Sequence, residues 1–289
     1  MSTPSSTPPV SPSRWIAWTS ILIASDAADI CWKLHTGHRL PLVFVLVRAC
    51  LLIPFAAISS GPMRRFVMAL IAFLCGSWLQ RTVEHHWIWY QHAATSRQMY
   101  ADAWLGLIPS LLIALTLIGS GLTRRDVYLT RGNLAARVKG LGRLRWTVLA
   151  PLFVLFMLFG LTEQLRLILH DSSHAHPSLH PTWLALIGLS LSFAAINAFN
   201  EEFRFRFVLL AHGKRAVGAS AALWMTSLNF GLAHWISGHP GGPTGMLTTM
   251  LFALLLCRSL YDTEGGLWAW LMHFSGDIII LVVVLFMVG

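Results

Sequence analysis

Apolar residues occur along this chain in long blocks rather than in the strict alternation of a half-buried strand. Crossing the hydrocarbon layer of a bilayer, about 30 Å thick, takes about 20 helical residues. Blocks of that length predict an all-α, polytopic integral membrane helix bundle with about eight or nine transmembrane helices. The candidate spans lie near 15–32, 41–60, 66–90, 102–122, 146–169, 182–210, 217–236, 244–262 and 267–288.

Two of these spans contain polar interruptions. Asp26 and Asp29 interrupt the first span, and Gln80, Arg81 and Glu84 interrupt the third. These residues leave the predicted number of spans at eight or nine.

Composition agrees with a membrane protein and excludes several other classes. Of the 289 residues, 55% are hydrophobic and only 11% are charged, whereas soluble domains carry about 25% charged residues. A soluble enzyme, a disordered regulator and a nucleic-acid-binding domain are therefore poor fits. The formal net charge of +9 comes largely from a basic loop at 123–145, which we expect to be cytoplasmic because basic loops resist translocation. We expect no nucleic-acid partner.

The basic loop also predicts the orientation of the chain. Alternation of the spans places Arg64 and Arg65, and likewise Lys214 and Arg215, on the same cytoplasmic side as the loop. The N-terminus is then cytoplasmic, and the segments 170–181 and 236–243 are outside. Four single cysteines without a CxxC pair argue against a disulfide framework or a zinc knuckle.

The chain divides by composition into three parts. Residues 1–13 form a Pro/Ser/Thr-rich tail, which we expect to be flexible and not a signal peptide. Residues 14–145 hold the N-terminal membrane helices and the basic loop. Residues 146–289 hold the spans in which ionisable residues recur, so that we expect the function to lie there.

A cluster of ionisable residues stands inside the sixth predicted span. Each ionisable group in a membrane helix is a candidate functional residue because its burial is costly. Glu202 and Arg206 are four residues apart, the spacing at which helical side chains meet, and we expect them to pair. Glu201 lies about 100° round the helix from Glu202, so the two carboxylates are not expected to point at one spot. Glu201 then faces a cavity with Asn197 on its side, unless Arg204 pairs with it; alternatively, the group is a juxtamembrane charge cluster.

Two histidines lie in later spans. His234 closes the apolar helix that contains Phe230, and His273 stands early in the last span. Asp277 follows His273 by four residues, so its carboxylate can hold the imidazole and fix its tautomer. A lone buried histidine is usually a core residue, but two histidines and three carboxylates on three of the last four spans indicate a site.

The order and spacing of these residues resemble the CPBP family of intramembrane proteases, which includes the CAAX prenyl endopeptidases and bacteriocin-processing proteins. The resemblance lies within residues 182–285. Its motifs are EExxxR (Glu201, Glu202 and Arg206), FxxxH (Phe230 and His234) and HxxxN/D (His273 and Asp277). It implies an intramembrane endopeptidase of a bacterial cytoplasmic membrane that cleaves a membrane-associated protein or peptide near the bilayer surface.

The resemblance also implies a role for each residue of the site. Glu201 would be the general base that activates water, helped by His234. Glu202 with Arg206 would orient that site.

His273 and Asp277 would lie at the oxyanion position. Asparagine is common in the family where this chain has Asp277, and an ionised aspartate can only accept hydrogen bonds. Either Asp277 is protonated in its apolar site, or it orients His273, which then donates to the oxyanion. We favour the second interpretation.

The chemistry of these groups leaves alternatives open. Peptide hydrolysis needs an activated water, a stabilised oxyanion and a proton for the leaving amine, and a carboxylate with two histidines can supply all three without a cofactor. Glu201, His234 and His273 could instead bind a divalent metal such as zinc, although the HExxH motif is absent. A non-catalytic scaffold or immunity protein, and a metal-dependent peptidase or transporter, are the competing functions. The sequence indicates no oligomeric state.

The depths of these residues in upright helices differ. At about 1.5 Å per residue, Glu201 lies about 15–18 Å from the cytoplasmic turn, His234 about 24 Å and His273 about 10 Å. Helix tilt alone does not bring them to one level. A broken helix near Gly231, or a re-entrant turn, would help to close the gap.

Two further histidine-rich stretches carry weaker signals. His170, His174, His176 and His180 share one predicted outside loop, where metal binding is possible but incidental histidines are commoner. The stretch 84–92 mixes histidines with tryptophan and tyrosine, which is typical of an interfacial aromatic belt.

Overall fold

The helices of this protein follow the apolar blocks of its sequence. The computed structural model describes residues 12–170, 183–237 and 241–287. Its α-helices are α1 (Pro12–Ala24), α2 (Ala27–Thr36), α3 (Val43–Ile58), α4 (Gly61–His86), α5 (Ile88–His92), α6 (Thr95–Leu105), α7 (Leu107–Leu115), α8 (Trp146–His170), α9 (Trp183–Glu201), α10 (Leu210–Val217), α11 (Ala219–Ser237), α12 (Gly242–Thr263) and α13 (Leu267–Met287). A π-helical segment, Glu202–Leu209, joins α9 to α10.

The fold class is all-α over the part of the chain that the structure describes. Extended pairing is limited there to an isolated antiparallel bridge between Arg137 and Arg145. Residues 1–11 of the predicted tail lie outside the described ranges. The division into 14–145 and 146–289 stays a prediction.

Four helical stretches of the described chain are long and apolar enough to cross a membrane. They are Gly61–His86, Arg97–Leu115, Trp146–Glu163 and Gly242–Thr263, and two shorter apolar helices are Val43–Ile58 and Leu267–Ile280. The predicted count of eight or nine spans therefore stays a prediction.

The outer surface of α8 agrees with contact to lipid. Leu152, Leu155, Phe156 and Phe159 are 54 to 66% exposed along this helix. Apolar area in water costs about 25 cal/mol per Å², a cost that lipid chains remove. The protein is an integral membrane protein.

The first predicted span is broken at its acidic residues. α1 ends at Ala24 and α2 begins at Ala27, and the two aspartates around this break meet arginines of other helices. Arg48 Nη1 lies 3.0 Å from Asp29 Oδ2 and 3.8 Å from Asp26 Oδ1, and Arg81 Nη1 lies 3.8 Å from Asp29 Oδ1. These ion pairs explain how an apolar segment tolerates two carboxylates.

The basic loop is folded against the turn between α12 and α13. The backbone N–H of Asn133 donates to the Thr263 carbonyl at 2.7 Å, and that of Gly266 donates to the Thr130 carbonyl at 3.0 Å. Gly132 has a φ of +69°, and a Cβ there would lie 2.4 Å from the Thr263 oxygen. The approach of the two backbones therefore requires glycine at 132.

Two basic residues that the sequence places on the cytoplasmic side contact the basic loop or the residue just before it. Arg215 Nη2 lies 3.2 Å from Asp126 Oδ2 in the basic loop. Arg65 donates to the carbonyl of Ser120, just before the loop. The start of α4, the end of α10 and the start of the loop therefore lie at the same end of the bundle.

Helix α11 is continuous through Gly231, so the suggested break there is wrong. Gly231 instead serves helix packing, because a Cβ at this position would lie 2.7 Å from the Met246 carbonyl oxygen of α12. The departure from regular α-helix at the site is the π-helical segment.

Candidate active site

The helical winding changes where the two glutamates lie. Glu201 ends α9, and Glu202 begins the π-helical segment, in which hydrogen bonds run i→i+5. Such widened turns are frequent at functional sites. Glu202 and Arg206 are both fully buried in this segment.

His273 of α13 lies between the two glutamates. Its Nδ1 is 2.6 Å from Oε1 of Glu202, and its Nε2 is 3.4 Å from Oε2 of Glu201. The expectation that the carboxylates of Glu201 and Glu202 cannot point at one spot is therefore wrong. The two carboxylates reach opposite nitrogens of one imidazole, and the π-helical winding starts at the second of them.

Asp277 also faces this imidazole. Its Oδ1 lies 3.6 Å from His273 Nε2, one helical turn back along α13, and both side chains are 5% exposed. His273 is thus surrounded by carboxylate oxygens, and both of its nitrogens can donate together only in the imidazolium form.

Glu202 and Arg206 form an ion pair inside the protein. Arg206 Nη1 lies 3.2 Å from Glu202 Oε1, and the two side chains are 1% and 0% exposed. The guanidinium also stacks on Phe230, with Cζ 3.8 Å from the ring centroid. A buried charge is tolerated when it is paired, so Arg206 and Phe230 hold the Glu202 carboxylate in place under His273.

His234 lies on the same phenyl ring. The centroids of His234 and Phe230 are 4.3 Å apart, and those of Phe230 and His273 are 5.9 Å apart. His234 Nδ1 is 2.9 Å from the Phe230 carbonyl oxygen, which can only accept. Nδ1 therefore carries a proton, and in the neutral imidazole Nε2 keeps its lone pair. That lone pair makes His234 able to accept a proton.

The sequence interpretation left several neighbouring contacts without a role. Asn197 donates from Nδ2 to Asp277 Oδ2 at 3.0 Å, and Phe252 contacts His273 edge-on, with centroids 5.7 Å apart. Arg204, considered as a partner of Glu201, donates from Nε to the Asn200 carbonyl at 3.0 Å. The position of Asn197 four residues before Glu201 was the one available signal for its place in the site.

The geometry of the nitrogen and oxygen atoms at the site bears on the alternative that the site binds a metal ion. Over the described residues, no group of three histidine, cysteine or acidic side chains is arranged to hold a metal ion. Both nitrogens of His273 face carboxylates, and Nδ1 of His234 faces a carbonyl. The metal-ligand set of Glu201, His234 and His273 therefore stays a prediction, and chelation can test it. The histidine tract at 170–180 falls among residues whose side chains lie outside the description.

The comparison with family models identifies the segment that holds the site. Residues 181–279 match the family described as type II CAAX prenyl endopeptidase Rce1-like. This segment is similar to an Rce1-like domain. This match confirms the resemblance to the CPBP family of intramembrane proteases and includes all six candidate residues, although it covers only about a third of the chain. No curated protein and no solved structure matches the chain.

Proposed function

We propose that this protein is an intramembrane endopeptidase that hydrolyses a peptide bond by water activated at Glu201. The observation that carries the proposal is the difference between its two adjacent glutamates. Glu202 is 0% exposed and paired with Arg206, whereas the Glu201 side chain is 18% exposed and lies 3.4 Å from His273 Nε2. One carboxylate is therefore fixed, and the other is partly exposed beside a hydrogen-bond donor.

The proposed reaction assigns the base and its assistant. Glu201 takes a proton from water, and the hydroxide oxygen attacks the peptide carbonyl carbon to form a tetrahedral intermediate. His234, with its Nε2 lone pair, helps to orient this water. The carbon–nitrogen bond then breaks, and the proton held by Glu201 passes to the leaving amine. A carboxylic acid and an amine are released, with one water consumed.

The developing oxyanion needs a donor close to the attacking water. His273 Nε2 lies next to Glu201, so a carbonyl oxygen bound there would accept from the ring while the water attacks from the glutamate side. Glu202 Oε1, 2.6 Å from Nδ1, compensates the positive charge of the ring. Asp277 orients the ring and does not itself donate.

The substrate that the family description suggests is a lipidated carboxyl-terminal peptide. The Rce1-like match supports a CAAX-type peptide at the membrane, and the apolar outer surface of α8 supports a location of the protein in the lipid bilayer. We therefore propose a membrane-associated, prenylated peptide as substrate and a metal-free mechanism.

The topology proposal follows the basic loop. We propose eight or nine spans in a bacterial cytoplasmic membrane, with the N-terminus and the loop at 123–145 in the cytoplasm. Contacts of Arg215 with Asp126, and of Arg65 with Ser120, support a common side for these segments. Reporter fusions at Gly140 and at Gly241 test it, since opposite faces are expected for the two sites.

The function is tested with protein purified in detergent and a quenched fluorescent peptide that ends in a farnesylated CAAX sequence. We expect the wild-type protein to cleave this peptide and Glu201→Gln to lack the activity. Glu163→Gln is the matched control, because Glu163 pairs with Arg166 on the surface of α8, at 3.0 Å, and among the described residues it has no contact with the candidate site. A wild-type protein that leaves the peptide intact would favour the non-catalytic scaffold.

A further inference from the structure

Asn197 joins the helix that carries Glu201 to the helix that carries His273. It lies on α9, four residues before Glu201, and its side chain is partly buried. Its Nδ2 lies 3.0 Å from Oδ2 of Asp277 on α13. The two helices pack against each other, so this hydrogen bond crosses their interface beside the candidate catalytic groups.

The chemistry of the two side chains fixes the direction of this bond. An amide nitrogen can only donate, so Oδ2 of Asp277 is the acceptor. The second oxygen, Oδ1, is then left facing His273 Nε2 at 3.6 Å. Rotation of the Asp277 carboxylate would give up the bond from Asn197, and Asn197 therefore selects the orientation in which Asp277 presents an acceptor to His273.

The same imidazole is held on its other edge by Glu202. With Nδ1 bonded to Glu202 at 2.6 Å and Nε2 beside Asp277 at 3.6 Å, the ring has little freedom to turn. A ring free to turn would move its Nε2–H away from the bound carbonyl oxygen. Small displacements of this kind cost a large part of a catalytic rate.

We propose that Asn197 is a positioning residue for peptide hydrolysis, acting on His273 through Asp277. This inference rests on the proposed function of the Glu201 site. Asn197 lies outside the three motifs of that site. Its role is inferred from its contact with Asp277, a residue of another helix that is 80 positions away in sequence.

An exchange of the two residues tests the proposal. Asn197→Asp places two carboxylates against each other, and we expect kcat on the farnesylated peptide to fall roughly 10- to 100-fold, with KM within about threefold. In the double variant Asn197→Asp/Asp277→Asn, the new amide at 277 donates to the new carboxylate at 197. Its carbonyl oxygen still faces His273, so we expect kcat to recover at least about tenfold over Asn197→Asp.

Asn200→Ala is the matched control on the same helix. Asn200 is buried and bonds to the Ala103 carbonyl at 2.6 Å and to Ser110 at 3.1 Å, away from His273. We expect this variant to lower thermal stability while kcat stays within about threefold of wild type. If Asn197→Asp does not fold, Asn197→Ala replaces it, with kcat expected to fall about tenfold at unchanged KM.

Two results would overturn the role of Asn197 alone. One is a double variant no more active than Asn197→Asp, and the other is a folded Asn197→Ala protein with wild-type kcat. Glu201→Gln is measured beside them. If Glu201→Gln keeps wild-type turnover, the proposed function fails instead, whatever the Asn197 variants do.

Discussion

Oε1 of Glu202 lies 2.6 Å from Nδ1 of His273, deep inside the protein. The same oxygen lies 3.2 Å from Nη1 of Arg206, on a side chain that is 1% exposed. One carboxylate oxygen therefore balances a guanidinium and orients an imidazole. Glu202 therefore holds the imidazole ring in place, while the neighbouring Glu201 is the carboxylate that we propose as the general base.

Replacing Glu202 should cost both stability and activity. In Glu202→Gln the Arg206 charge stays buried without a counter-charge, so we expect a loss of about 3–5 kcal/mol in the free energy of unfolding. Glu202→Gln/Arg206→Met removes the charge and keeps an apolar contact with Phe230, so stability should recover by more than half. Activity should not recover, because Nδ1 of His273 still lacks its anionic partner. Denaturant unfolding and peptide turnover measure the two effects; additive stability losses would contradict the pairing.

His234 should act on the rate rather than on substrate binding. His234→Ala removes the Nε2 lone pair, and we expect kcat to fall about 100-fold with KM within about threefold. The measurement is initial rates on the farnesylated peptide over a range of concentrations. An unchanged kcat would remove His234 from the proposed mechanism.

Metal removal should leave turnover unchanged. The geometry gives both nitrogens of His273 carboxylate neighbours, and the proposed steps use no metal. After treatment with EDTA or 1,10-phenanthroline, we expect rates within about twofold of the untreated protein. Loss of activity that zinc restores would instead support the ligand set Glu201, His234 and His273.

The start of the basic loop should show a pH-dependent contribution to stability. The Thr123 backbone N–H and hydroxyl donate to Asp126 and lower the pKa of its carboxyl, with a further contribution from Arg215. Because the folded-state pKa lies below the unfolded value of about 3.9, this stabilisation is present above about pH 4 and is lost as pH falls through the folded pKa. Asp126→Asn should lower Tm at pH 7 by about 1–3 °C, and the difference should shrink toward pH 3. An equal difference at both pH values would contradict this origin.

Helix positions and the side-chain pairs within one helix could be predicted because they depend on local pattern. Apolar blocks of about 20 residues specify helices with little help from the rest of the chain. The i,i+4 spacings brought Glu202 to Arg206 and His273 to Asp277 as helical geometry requires. These relationships involve one element each.

Relationships between elements could not be read from the same pattern. The break at Ser25–Asp26 lies beside Arg48, which belongs to another helix and contacts both Asp26 and Asp29. The π-helical winding at Glu202 departs from the regular α-helix that the local pattern predicts. The expectation that Glu201 and Glu202 cannot point at one spot failed because both carboxylates reach His273, which lies on another helix. The bond from Asn197 to Asp277 likewise exists only after α9 and α13 have packed.

The most direct test of the central claim is the turnover of the farnesylated peptide by Glu201→Gln compared with Glu163→Gln. Both changes replace one carboxylate by an amide, and only the first removes the proposed base. We predict that Glu201→Gln lowers kcat about 100- to 10,000-fold while Glu163→Gln stays within about twofold of wild type. Equal turnover in the two variants, with both proteins folded, would contradict the assignment of proteolysis to Glu201.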